Sequence, residues 1–197
     1  MPMLPAESVQ TPEARARLLE ALMSHARQRQ IAVERSDEAD RYGGGVYRRS
    51  ENKILLSKSL QPTDSGISNL AHELGHAELD ETTLGQIIQN PLMRSAAYAA
   101  PAMGAIIAIV AKGNFARRAA LSAGAAAAMQ LPMLGSEMLA DHRGRQMLIA
   151  NGASPEMLAA HRQASVGGVT SYLRPGAKAV GISLLIAAMA HAMAASS

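Results

Sequence analysis

The sequence predicts an α+β fold, mainly helical, with one short β-sheet. Three observations predict it. Apolar residues recur at helical spacing in residues 11–30 and again beyond residue 64. Short strand-like runs with turn residues between them are confined to residues 31–59. From residue 95 onward come three uncharged, alanine-rich runs, 95–111, 119–136 and 179–197, of which the last is broken only by His191.

Taken in order, residues 11–30 read as a core-packing helix. Thr11 is the candidate N-cap, Pro12 suits the first helical position and Glu13 the positive end of the dipole. Leu18, Leu22, Leu19 and Met23 form its apolar stripe. A strand follows at "IAVERS", with Ile31 and Val33 on one face. Gly43, Gly44 and Gly45 break regular structure. "VYRRS" and "KILLSKS" then form a hairpin about Ser50, Glu51 and Asn52. "QPTDSG" is a loop, with Asp64 or Ser65 expected to cap the next helix. "EMLADHRGRQMLIANG" reads as an amphipathic helix stopping at Asn151-Gly152. "SPEML" starts another, with Ser154 as N-cap. The whole is expected as one domain over 1–197. Residues 11–94 carry the N-terminal helix, sheet and motif helix, and 95–136 an apolar helical hairpin. Residues 137–178 carry the next two helices, and 179–197 an apolar C-terminal helix.

The formal charge is +3, and only four tyrosines and one phenylalanine accompany the scattered arginines, so no nucleic-acid partner is expected. The chain has no cysteine, which excludes disulfides, thiolate metal sites and a cysteine nucleophile. Any metal must be held by His, Asp or Glu. The stretch "MPMLPAESVQTPEARARLLEAL" lacks a basic start followed by an apolar run and does not read as a secretory signal.

The chemistry is concentrated in "NLAHELGHAELD", residues 69–80. Histidines four apart on a helix share a face, so His72 and His76 can reach one Zn2+ at about 2.0–2.1 Å. Glu73, beside the first ligand, is placed to take a proton from an attacking water and return it to a leaving amine. The plain alternative is a polar helix carrying two histidines. Gly75 costs about 1 kcal/mol of helix propensity relative to alanine, which fits a site where another segment must approach closely.

A catalytic zinc needs a third protein ligand and one open position. "SEMLADHRG" offers Glu137 as that ligand and Asp141, one turn on, to hydrogen-bond a ligand imidazole. Gly144 leaves room for a neighbouring helix. An acidic helix start is the ordinary explanation of this stretch; following the first motif, it reads as the missing ligand. His142 would face elsewhere, and His25, His161 and His191 carry no motif.

These two motifs, with an apolar hairpin between them, resemble the membrane-associated gluzincins, the HtpX-type peptidases and CAAX prenyl proteases. The likeness covers roughly residues 65–160. It implies a zincin-like domain, His72, His76 and Glu137 as zinc ligands, Glu73 as general base and Asp141 behind a ligand. The chain is shorter and is expected to lack that family's N-terminal membrane helices. Its first seventy residues are more similar to small soluble peptidases of the ImmA/IrrE type, whose strand pair also leads into "LAHELGH". The implied activity is a zinc-dependent metalloendopeptidase acting on a protein or peptide substrate. The alternatives are a soluble regulatory peptidase clipping one partner, and a non-catalytic membrane or assembly protein with a structural zinc.

Zincins take substrate as an added strand at a sheet edge. "NKILLSKS" (52–59) is the candidate edge, with an interior strand as the alternative reading; Lys53 and Lys58 favour an edge. Tyr172, Arg174 and His161 are candidate donors to the oxyanion. The runs 95–136 and 179–197 reach the minimum spanning length, and their small residues at helical spacing suit close helix packing in a membrane or in a buried pair. A membrane-associated protein with a cytoplasmic catalytic part is expected; a soluble cytoplasmic one is the alternative. A two-span hairpin would put Lys112, Arg117 and Arg118 on the far side, against the positive-inside rule.

Overall fold

The computed structural model describes residues 11–42, 44–58 and 63–195, with only the backbone of 171, 172 and 195. The reading of residues 1–10 as no secretory signal, the loop at 59–62 and the Tyr172 side chain as a donor lie outside the described residues. The chain is mainly helical with a small three-stranded sheet. It gathers into two compact units, Met1–Thr82 with Glu137–Gly168, and Thr83–Ser136 with Val169–Ser197.

In the first unit, helix α1 (Pro12–Gln28) starts as its sequence dictates, with the Thr11 hydroxyl accepting from the Ala14 N–H at 3.2 Å. Leu18, Leu22 and Ala26 form its buried stripe. Strands β1 (Ala32–Arg35), β2 (Gly45–Arg48) and β3 (Lys53–Leu56) follow. β2 and β3 form the expected antiparallel hairpin, turned at Asn52 in the left-handed region (φ 46°). Asn52 tolerates that conformation better than most residues, and its side-chain amide donates to the Gln30 carbonyl at 3.0 Å.

The sheet order is β1-β3-β2, with β1 parallel to β3. Strand β3, within the 52–59 segment, is therefore the interior strand, and the expectation of a substrate edge there fails. The physical reason lies in two consecutive residues: Ile54 and Leu55 point to opposite faces, yet both are buried, the mark of a strand covered on both sides. Lys53 instead pairs with Glu34 at 3.2 Å, and Lys58 with Asp37 at 2.7 Å. The free edges belong to β1 and β2.

Helix α2 (Asp64–Asp80) is capped by Thr63, whose hydroxyl accepts from the Gly66 N–H at 3.2 Å. The expected caps, Asp64 and Ser65, fall one and two positions inside. Asp64 is occupied by Arg15, whose Nε and Nη2 reach it at 2.6 and 3.1 Å. The unit's core joins Leu18, Leu22, Ile54, Ile67, Leu70 and Leu74 to Leu148 and Met157. Leu148 lies on α6 (Leu131–Ala150) and Met157 on α7 (Pro155–Ala195). Gly152, at φ 76°, makes the expected stop after α6, and Ser154 caps α7 by accepting from the Met157 N–H at 3.3 Å.

The second unit holds α3 (Thr83–Ile88), α4 (Pro91–Val110), α5 (Phe115–Ala128), the start of α6 and the later part of α7. The side chains of Asn90 and Asn114 cap α4 and α5 by accepting from Leu92 and Arg117 N–H groups at 2.9 and 3.1 Å. The second apolar run is broken at Met129–Gln130, so α6 begins six residues before Glu137. The last two expected helices are one: α7 runs on through Pro175. Proline removes one backbone donor without ending a helix whose neighbours already fix it. Two helical stretches, Pro91–Val110 and Pro155–Ala194, are long and apolar enough to cross a membrane.

Candidate metal centre

All groups of the candidate centre lie in the first unit. On α2, His72 and His76 stand one turn apart, ring centroids 4.9 Å from each other and nearly perpendicular at 85°. What brings a third donor to them is a close crossing of α2 and α6. A Cβ on Gly75 would lie 2.0 Å from the Ala140 carbonyl oxygen, and one on Gly144 2.6 Å from that of Ala71. Each helix thus opens a glycine to the other's backbone, as the sequence suggests at both positions. At that separation Glu137 bridges the imidazoles, with Oε2 3.3 Å from His72 Nε2 and Oε1 3.6 Å from His76 Nε2. One ligand atom from each residue lies within 4.8 Å of the others. The trio can hold a metal ion.

Asp141, one helical turn past Glu137, sits behind His72, its Oδ1 3.9 Å from Nδ1. It is itself held. The Ser165 hydroxyl donates to it, and His161 Nε2 lies 3.2 Å away. The fully buried His161 ring meets the Ser68 hydroxyl at 2.7 Å through Nδ1. Both of its nitrogens are engaged, so His161 orients Asp141 and is not a spare donor for an oxyanion. Arg174 belongs to the other unit.

The electrostatics follow from this packing. Burial by itself would lower the His72 pKa. Hydrogen bonds to Asp141 and Glu137, with the nearby Glu73 charge, outweigh it and hold the pKa at about 10. Burial would raise Glu137, but its contacts with His72 and His76 keep the carboxyl well below its usual range. Asp141 is likewise held low against burial, by His161, His72 and Ser165. Without a metal the carboxylates hold His72 protonated, and a metal ion bound there would take the place of that proton.

Glu73 points toward the sheet. Its Oε2 accepts the Tyr47 N–H of strand β2 at 2.7 Å, and a Cβ on Gly45 would come within 3.0 Å of its Oε1. The absence of a side chain at Gly45 is what lets the carboxylate lie against the strand. Neither Gly45, Tyr47, Ser68 nor Ser165 stands out in the sequence as a member of the site. A weak signal existed for two: Ser68 precedes His72 by four residues on α2, and Ser165 follows His161 by four on α7, each sharing a helix face with it.

The remaining histidines lie elsewhere. His142 is exposed, as expected. His25 Nε2 contacts Glu78 at 3.1 Å. His191, in the second unit, packs near Phe115 with ring centroids 6.0 Å apart. Compared with known proteins, the chain matches no family model, no curated protein and no solved structure.

Proposed function

We propose that the chain is a zinc-dependent metallopeptidase with His72, His76 and Glu137 as ligands and Glu73 as general base. The observation that carries this reading is the convergence of the three ligand atoms within 4.8 Å, contributed by two segments some sixty residues apart. The donor set favours zinc: two imidazoles and one carboxylate form the three-ligand array of catalytic sites, leaving one position open. A structural site would want four protein ligands, and the group holds three among the described residues. Zinc, when bound, would lower the pKa of a water molecule and polarise a carbonyl.

The chain's own residues supply the rest. Asp141, its Oδ1 3.9 Å from His72 Nδ1, is the acceptor that would draw the proton to Nδ1 and leave Nε2 as the ligand atom, while His161 and Ser165 hold Asp141 in place. Glu73 takes the proton of the attacking water and passes it to the leaving amine. Its Oε2 stays tied to the Tyr47 N–H, so the carboxylate works from a fixed position. A peptide would lie along β2, the edge strand next to Glu73, pairing with the outward backbone groups that the Tyr47–Glu73 contact leaves open, with little demand on sequence.

The test pairs two variants in a generic peptide-cleavage assay with metal analysis. Glu73→Gln should keep its metal and lose about 10²–10⁴-fold in turnover. Glu137→Ala should lose the metal itself. Full activity in Glu73→Gln would sink the mechanism, and wild-type metal content in Glu137→Ala would sink the ligand set.

A further inference from the structure

The second unit is built inside out. Among the described residues, its buried apolar side chains are alanines at 97, 100, 108, 119, 126, 179 and 187, with Met133 the one larger member. Its large apolar side chains face outward. Of the twenty-two exposed large hydrophobics, all but Tyr42, Met138, Ile149 and Val166 lie in this unit. Ile106, Ile109, Leu185 and Met193 are 54, 62, 63 and 72 % exposed. In water the hydrophobic effect drives the opposite arrangement.

The interior is also wired for a surrounding that offers no hydrogen bonds. The Ser122 hydroxyl, buried between helices, donates to the Gly104 carbonyl at 2.7 Å and reaches that of Ser183 at 3.3 Å. A Cβ on Gly104 would lie 1.9 Å from the Ser183 hydroxyl oxygen, so glycine is what lets α4 and α7 meet. Pro101 within α4 cannot donate to the carbonyl of Ala97; the buried Gln130 amide does so instead, at 2.8 Å. Small residues at helix contacts and side-chain donors on freed carbonyls are how helices associate in lipid.

Charge completes the argument. The unit contains no Asp or Glu, and its six formal charges, Arg94, Lys112, Arg117, Arg118, Arg174 and Lys178, are all positive. Arg94 lies in the first turn of α4 and Lys112 just past its end; from Arg94 to Val110 the helix rises about 24 Å, against a hydrocarbon core of about 30 Å. Arg94, Lys112, Arg117 and Arg118 thus lie at the ends of α4 and α5, where headgroups would be.

We propose that α4, α5 and the later part of α7 form a three-helix unit embedded in a lipid bilayer, with its end cations engaging anionic headgroups. The proposal stands apart from the metal chemistry. It is tested by floating the full chain, freed of detergent, with vesicles of phosphatidylcholine alone or mixed with phosphatidylglycerol, followed by an alkaline carbonate wash. Wild type should float, resist the wash and favour the anionic vesicles. Ile106→Asp with Leu185→Asp, two outward positions outside the core clusters, should remain in solution with unchanged helical circular dichroism. Lys112→Gln with Arg117→Gln should float equally on both vesicle types. A chain that stays dispersed without vesicles, as a monomer or as a defined oligomer of copies covering each other's faces, overturns the proposal. So does flotation of the double aspartate variant, and an equal preference of wild type for both vesicles overturns the headgroup contact.

Discussion

Two carboxylates and two imidazoles stand in line from Glu137 through His72 and Asp141 to His161. Each touches the next, and the effect of each can be read separately. Asp141→Asn should weaken metal affinity about 10–100-fold while leaving the fold intact, because it removes the acceptor behind His72; competition with a chelator measures it. His161→Phe should weaken affinity less, but it strands the Ser68 hydroxyl in the core and should lower stability by about 1–3 kcal/mol. In metal-free protein the same groups give a pH dependence. The pKa of His72 is raised from 6.5 to about 10, so its contribution is fully present below 6.5 and lost as pH rises through 10. Glu137 and Asp141 are depressed, so theirs is present above the ordinary carboxylate range and lost as pH falls below it. Chelated protein should therefore melt progressively lower from pH 6.5 to 10, and a flat midpoint over that range would contradict the pairing. The pairs His72–His76 and Glu137–Asp141, each at i, i+4 spacing, were legible in the sequence, since a helix puts them on one face wherever it packs. The His161–Ser68 contact spans 93 positions, and no local spacing encodes it.

At the scale of elements, the centre exists because two helices cross at backbone distance. Gly75 and Gly144 record that crossing in the sequence: a glycine inside a helix is a loss unless something needs the space. Gly75→Ala tests whether the crossing or the propensity dominates. Alanine gains about 1 kcal/mol of helix propensity, but its Cβ would sit 2.0 Å from the Ala140 carbonyl oxygen, backbone that cannot rotate away. Overpacking of this kind costs about 1–3 kcal/mol, and it would push Glu137 from the imidazoles. A lower unfolding midpoint together with reduced metal content is expected; a gain in stability with full metal content would mean that the helices are free to separate. The strands show the reverse case. "KILLSKS" carries lysines at its ends, and these suggested an edge, yet ion pairs to Glu34 and Asp37 occupy both. Whether a strand has one neighbour or two is decided by the partner β1, whose Ala32 pairs with Lys53 21 residues on, and not by the strand's own composition. The helix caps differ by the same logic: Thr63 and Asp64 can both cap, and Arg15 on α1 takes Asp64.

The whole molecule divides its chemistry between its two units. All sixteen acidic residues and thirteen of the nineteen basic ones fall in the first, while the second holds six cations and no acid. Their interiors differ as much: leucine, isoleucine and methionine in one, alanine in the other. The alanine-rich runs set these helices apart in the sequence, which nevertheless reads as one domain over 1–197. Its inside-out packing was not legible there, because composition does not say which face of an alanine-rich helix meets its neighbours. Two cores of different kind should unfold separately, outside a single two-state transition. Metal bound at the candidate centre stabilises only the unit that contains it, by about 2.7 kcal/mol at a hundredfold excess over Kd. For a unit of this size that is roughly 10 °C in midpoint. Chelation in mild detergent should therefore lower the transition that carries the β-sheet signal by about that amount and leave the second, purely helical transition where it was. If both transitions moved together, the two cores would be one cooperative structure. If neither moved, the His72–His76–Glu137 group would be an ion-paired cluster with no ion to lose.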